Sequence, residues 1–215
     1  MQLHAKLHPA LSTLALVGAL LSLPPTISHA QSNSQLPAMT KEEAKAHLEE
    51  NDIHPVAGNL AGEILNGEID NVRAMLAVGV DSNETTAIPH SSIKLATMSC
   101  SGKRVPQEDI VTMIRVLAAG GAKINTSTPD ASPMITAAQQ CPAPVVKALL
   151  ALGGDRNVRT TQGFTPLSMA LIVRNYDAAR TLVENGATLS KEAADKLSKA
   201  AQDDQARALI KKATK

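Results

Sequence analysis

Aromatic side chains are nearly missing: the 215 residues include one Phe, one Tyr and no Trp. A core without rings must be packed from Ala, Leu, Val, Ile and Met. That suits closely spaced helices and argues against a β-sandwich or barrel, whose pleated faces favour aromatic and β-branched residues. An excess of one charge sign is also missing, with 21 basic residues against 20 acidic ones. The chain therefore lacks both the basic surface and the aromatic stacking platforms that nucleic-acid binding uses. Cysteine is scarce, represented only by Cys100 and Cys141. Long apolar runs are confined to residues 11–23 (LSTLALVGALLSL).

That run follows a segment with one cation, Lys6, and no acid. Pro24-Pro25 breaks it, and the small-x-small step Ser28-His29-Ala30 follows. The pattern reads as a secretory signal peptide over residues 1–30, cut between Ala30 and Gln31. The run is shorter than the ~20 residues a spanning helix needs, so no membrane insertion is expected after cleavage. Cleavage would remove Lys6 and no acid, leaving 20 basic and 20 acidic residues. Export, periplasmic or secreted, implies an oxidising compartment and makes the two cysteines disulfide candidates.

Catalytic constellations are absent from the sequence as well. His47, His54 and His90, the histidines of the expected mature chain, share no metal-ligand spacing such as H-E-x-x-H. No nucleophile elbow or phosphate loop occurs. Gly120-Gly121 and Gly153-Gly154 read as helix-ending glycines. Glu42-Glu43 and Glu49-Glu50 read as a solvated face. No catalytic residue, metal or cofactor is expected.

What the chain does contain is a repeat. After a polar leader at residues 31–39, Thr40 and Glu43 form a capping-box pattern, and residues 40–54 read as an N-terminal capping helix. Four later segments end alike: Met75-Leu76-Ala77-Val78-Gly79 closing at Asn83, Leu117-Ala118-Ala119-Gly120-Gly121 closing at Asn125, Leu149-Leu150-Ala151-Leu152-Gly153 closing at Asn157, and Leu182-Val183-Glu184-Asn185-Gly186 closing at Ser190. Their closing residues lie 42, 32 and 33 positions apart. The leucines finish a buried helix and a left-handed Gly terminates it. The Asn suits a turn in which its side chain bonds local backbone. On that reading Asn83 and Asn125 are turn residues, although both match a glycosylation sequon. Upstream of the last ending stands Gly163-Phe164-Thr165-Pro166-Leu167-Ser168-Met169-Ala170, with Thr165 as helix cap and Pro166 at the first helical position. Ser132-Pro133-Met134-Ile135-Thr136-Ala137-Ala138 repeats it 33 residues earlier. Ser91-Ser92-Ile93-Lys94-Leu95-Ala96 is a copy without the Pro.

G-x-T-P-L-x-x-A followed by a second helix and L-L-x-x-G-A-x-x-N resembles the ankyrin repeat, whose period is ~33 residues. The resemblance implies an all-α solenoid of helix-turn-helix repeats with short hairpin turns and helical end-caps. The repeats are expected at residues 55–83, 84–125, 126–157 and 158–190, the first keeping only its second half. Residues 191–215 are expected to cap the stack. The extra length of the second repeat, residues 101–107 (SGKRVPQ), is expected to project as a loop. The family's His after T-P-L is Ser168, Ile135 and Lys94 here, so hydrogen bonding at that position should depart from the family's pattern.

Cys100 and Cys141 align at the same position of neighbouring repeats. Strict stacking holds helices ~8–10 Å apart, beyond the ~4.4–6.8 Å Cα separation of a disulfide. Irregular chain after each cysteine lets the backbone converge, and a Cys100–Cys141 bond is expected.

The resemblance also implies a hand-like binding surface, with first helices as palm and hairpin turns as fingers. Palm positions are then Met98, Ser99, Gln139, Gln140, Ile172 and Val173. Finger positions are His90, Ala131, Arg159, Thr161, Gln162 and Phe164, and Arg174 and Tyr176 are rim candidates. The function expected is non-enzymatic binding of another protein by a monomer, as an immunity-type inhibitor of a toxin or an envelope adaptor. The competing class is an envelope enzyme or small-molecule binder built from His90 and the 101–107 insertion.

Overall fold

The computed structural model describes residues 38–84, 90–102 and 104–214. The expected signal segment with its Ala30–Gln31 cut, and the leader through residue 37, lie outside the described residues. Among those residues the elements are helices: α1 (Lys41–Glu50), α2 (Ala57–Asn66), α3 (Ile69–Val78), α4 (Ser92–Met98), α5 (Gln107–Ala119), α6 (Pro133–Gln140), α7 (Ala143–Ala151), α8 (Pro166–Ile172), α9 (Tyr176–Glu184), α10 (Lys191–Ala200) and α11 (Asp204–Ala213). None is long and apolar enough to cross a membrane.

The helix starts follow from local chemistry. At α1, Thr40 Oγ1 accepts the Glu43 N–H at 3.2 Å and Glu43 Oε2 accepts the Thr40 N–H at 2.9 Å. These bonds, the Thr40 backbone N–H foremost, hold the Glu43 carboxyl below its ordinary pKa. At α8 the departure from the family's His resolves into a local bond. Ser168 Oγ accepts the Thr165 N–H at 2.8 Å and donates to the Thr165 carbonyl at 2.9 Å, so the start of the helix is closed within one repeat.

The helices stack in two layers. In the outer layer α1 packs on α3, α3 on α5, α5 on α7, α7 on α9 and α9 on α11. In the inner layer α2 packs on α4, α4 on α6, α6 on α8 and α8 on α10. Five helix pairs result, with α1 covering the exposed side of α3. The first pair is complete, where only its second half was expected. Leu60, Ala61 and Ile64 bury one face of α2, but Val56 starts the helix without a side-chain cap, so no Thr-Pro motif announces it. The residues after 190 also do more than cap, because α10 and α11 form a fifth pair in register with the others.

The core has no aromatic ring at its centre: Phe164 is exposed and Tyr176 half-buried. Fully buried Leu117, Leu149, Leu167 and Leu182 interleave with fully buried Ala137, Ala170, Ala178 and Ala179. Each such Leu contributes roughly 1.5–3 kcal/mol of burial. Gly79, Gly121, Gly153 and Gly186 all take positive φ where the outer helices end.

Polar side chains tie each repeat to the next. Asn83 Nδ2 donates to the Gly121 carbonyl at 3.0 Å and its Oδ1 accepts the Lys123 N–H at 2.8 Å. Asn125 does the same one unit on, donating to the Gly153 carbonyl at 3.0 Å and accepting the Asp155 N–H at 2.8 Å. This corrects the local-turn expectation. The local bond is supplied instead by Asp81 and Asp155, whose carboxylates accept the N–H groups of Asn83 and Asn157. The Asn amides are thereby freed to reach across.

Cys100 and Cys141 are joined, with their Cα atoms 5.1 Å apart. Convergence arises because α4 tightens into a 3₁₀ turn, Ser99–Ser101, while Cys141 leaves α6 in extended backbone. The adjoining insertion does not simply project. Lys103 lies outside the described residues, but Val105 is buried and fills the space beside Gly67. A Cβ on Gly67, whose φ is +83°, would meet Val105 Cγ1 at 2.8 Å.

Three outcomes follow for stability. Reduction of the chain, or Cys141→Ser, should destabilise it by roughly 3–4 kcal/mol, as expected for a loop with a sequence separation of 41, read by denaturant titration with and without reductant. Gly67→Ala should cost about 2 kcal/mol or more, because it adds a clash to a left-handed backbone. Asn125→Ala should cost about 1–2 kcal/mol by losing two inter-repeat bonds, whereas a purely local turn role would leave the loss near a few tenths.

Candidate protein-binding face

The C-terminal ends of the inner helices share one register. Ser91, Ser132 and Thr165 occupy the position before α4, α6 and α8, and seven residues on lie Met98, Gln139 and Ile172. The left-handed residues Gly67 (φ +83°) and Arg174 (φ +59°) mark the same point after α2 and α8. Counting back two from each pairs Leu65 with Ile172. The row Leu65, Met98, Gln139, Ile172 thus runs across four successive repeats. Its apolar members are 38%, 37% and 49% exposed, and neighbouring Val173 is 45% exposed. Leu65 escaped the sequence reading because its repeat lacks the Thr-Pro-Leu marker; only the shared left-handed residue after the helix brings it into register.

The other expected palm residues play different parts. Gln139 is exposed. Gln140 is held, donating to the Thr97 carbonyl at 3.3 Å and accepting from the Ser101 hydroxyl at 2.6 Å. Ser99 is half-buried in the 3₁₀ turn beside the disulfide.

The finger of the fourth repeat is a tight turn. The Thr160 N–H donates to the Phe164 carbonyl at 2.9 Å, the Gly163 N–H to the Thr160 carbonyl at 2.8 Å and the Phe164 N–H to Thr160 Oγ1 at 3.0 Å. This fixes the backbone of Phe164 while its ring stays 37% exposed. Gln162 is exposed at the tip, and Arg159 braces the turn through the Gly163 carbonyl. Thr161 is engaged by the preceding finger: its N–H and hydroxyl donate to the Asp130 carboxylate at 2.8 and 2.7 Å. The Thr161 hydroxyl, followed by its N–H, holds Asp130 below its ordinary pKa. Asp130 was not anticipated as a contact; a lone Asp in a turn carries no mark of its partner 31 residues away. Ala131 is half-buried in the same turn.

The two rim candidates serve the fold. Arg174 donates to Gln202, and the Tyr176 hydroxyl donates to the Asp203 carboxylate. Tyr176 first, then the Ala206 N–H, lowers the Asp203 pKa, while the bond to Asp203 raises that of Tyr176. The fifth pair therefore docks through Arg174 and Tyr176 and leaves Ile172 and Val173 uncovered. His90 is half-buried. Its Nδ1 is buried beside a cavity of about 10 Å³, measured as the space open to the centre of a water-sized sphere.

Residues 104–193 match the family model for ankyrin repeats, in three copies. Residues 104–193 are ankyrin repeats. The match starts inside the insertion, so α2, α3 and α4 join the ankyrin stack on geometry. No curated protein matches the chain. Ankyrin repeats are generally protein–protein interaction modules and typically non-enzymatic.

Asp203 accepts two bonds in the fold, and its lowered pKa sets the sign of an acid effect. The stabilisation is present above its ordinary value and is lost as pH falls through the folded one. Acidification below about pH 4 should therefore loosen α10 and α11 before the central repeats, seen as faster amide exchange over residues 191–214. Asp203→Ala should reproduce that pattern at neutral pH.

Proposed function

We propose that this chain is exported and binds a partner protein across the row Leu65, Met98, Gln139 and Ile172, with Val173 beside it and Phe164 as a finger anchor. The single observation that carries the reading is the recurrence of a large, exposed apolar side chain at one register position of the inner layer. Scattered exposed leucines are ordinary on a protein surface, but an aligned row on one face marks an interaction site. Phe164 supports it, since a rigid aromatic on a braced turn loses little entropy on docking and is a favoured anchor type. The roles that fit are an immunity-type inhibitor of a toxin and an envelope adaptor. In both, an exported monomer stabilised by a disulfide holds another protein without altering it.

The competing reading, chemistry at His90 and the insertion, draws no support from the geometry. The cavity beside His90 is small, about 10 Å³, and Val105 tucks the insertion against Gly67.

Ile172→Glu should leave folding within about 0.5 kcal/mol of the parent, as for an ordinary surface change, yet reduce partner recovery at least tenfold when the full-length chain is used for affinity capture from envelope extract. Phe164→Ala should weaken the same capture. If both variants fold and retain an undiminished partner, the face is wrong. A purified product whose first residue is not Gln31 would remove the export half of the reading.

A further inference from the structure

We propose that one buried water molecule is built into the junction between the first and second helix pairs, held by Ser82, His90 and Ser92. Ser82 and Ser92 are only 4% and 5% exposed. The Oγ atoms of both, together with His90 Nδ1, are sealed from solvent and meet no hydrogen-bond partner in the protein. All three residues line the same cavity, whose lining also includes Glu84 and whose apolar walls include Leu60, Ile64 and Leu95. Buried polar side chains are nearly always hydrogen-bonded, because an orphaned group forfeits the bond it makes with water in the unfolded chain. Three such groups on residues that line one cavity point to a shared partner that the chain itself does not supply.

Size and chemistry both select water. The cavity offers about 10 Å³ to the centre of a water-sized sphere, about the room that one water molecule needs. Ser82, His90 and Ser92 supply three polar groups, within the two to four that a buried water requires. Two hydroxyls, each able to donate or accept, and one ring nitrogen match a neutral molecule with two donors and two acceptors. The water then links the closing turn of the first repeat, at Ser82, to the start of α4 at His90 and Ser92. Next to Ser82, Asn83 makes the direct bonds to the second repeat. His90 thereby helps to position the start of α4.

The test turns on a sign. With water present, Ser82→Ala and Ser92→Ala each remove a satisfied bond and should lower Tm by roughly 2–6 °C for a chain of this size. With a dry cavity, each would remove an unsatisfied group and leave Tm unchanged or raised, which overturns the proposal. A crystal structure of the full chain at about 1.5 Å gives the direct reading. The expected result is one ordered water within hydrogen-bond distance of all three atoms. Empty density there, or an ion identified by anomalous scattering, overturns the assignment.

Discussion

Helix leaning on helix through leucine and alanine is the contact on which the rest of this protein depends. A pair such as α6 and α7 presents apolar surface on both of its flanks, and neither flank can be buried within the pair. Burial comes only from the next pair along, so stability accumulates from neighbour interfaces in the manner of a one-dimensional array. The near absence of aromatic residues follows from this geometry. Helices that approach through Ala137, Ala170 and Ala179 leave no gap for a ring, and the only Phe stands on the surface. The same logic places α1 over α3 and a charged final pair over α8 and α9, since both ends of such an array must turn polar faces to solvent.

Small interfaces between short helices bury limited apolar area, and polar ties reinforce them. Asn83 and Asn125 step across the outer turns, and Asp130 reaches Thr161 between fingers. Asn175 donates to the Ala138 and Cys141 carbonyls, capping α6 from the neighbouring repeat. The disulfide joins the second and third repeats at the base of their inner helices. Each of these hydrogen bonds is exposed or half-exposed and modest alone, and the disulfide, with Cys141 buried, is the strongest tie. Together they set the angle at which successive inner helices meet, and hence the spacing of the apolar row on the face they form. A partner that reads Met98 and Ile172 together reads that spacing.

Legibility in the sequence tracks how local the cause is. The Thr165–Pro166 start, the Thr40–Glu43 box and the glycines after the outer helices are short-range effects, and each is visible as residues a few positions apart. Where the local marker is missing, the element escapes notice although its burial pattern is ordinary. Leu60, Ala61 and Ile64 make α2 as good a helix as α8, but nothing in front of them resembles Thr-Pro. The face divides the same way. Ile172, Val173 and Phe164 are visible as apolar residues at positions that should be exposed. Leu65 needs the backbone of Gly67 to set its register, and Thr161 and Gln140 look free until Asp130, Thr97 and Ser101 are placed beside them.

The sequence by itself determined that the chain is a ring-free helical array, where its repeats end, and which residue types it can use as a core. Those properties depend on periodicity and backbone preference, which act within a few residues. Only the tertiary structure decided which side chains are spent on holding repeats together and which remain for a partner. Arg174 and Tyr176 dock the fifth pair while Ile172, two residues before Arg174, stays exposed. That division rests on contacts about thirty residues apart along the chain, and only the stacking of whole helices brings such residues into reach of one another.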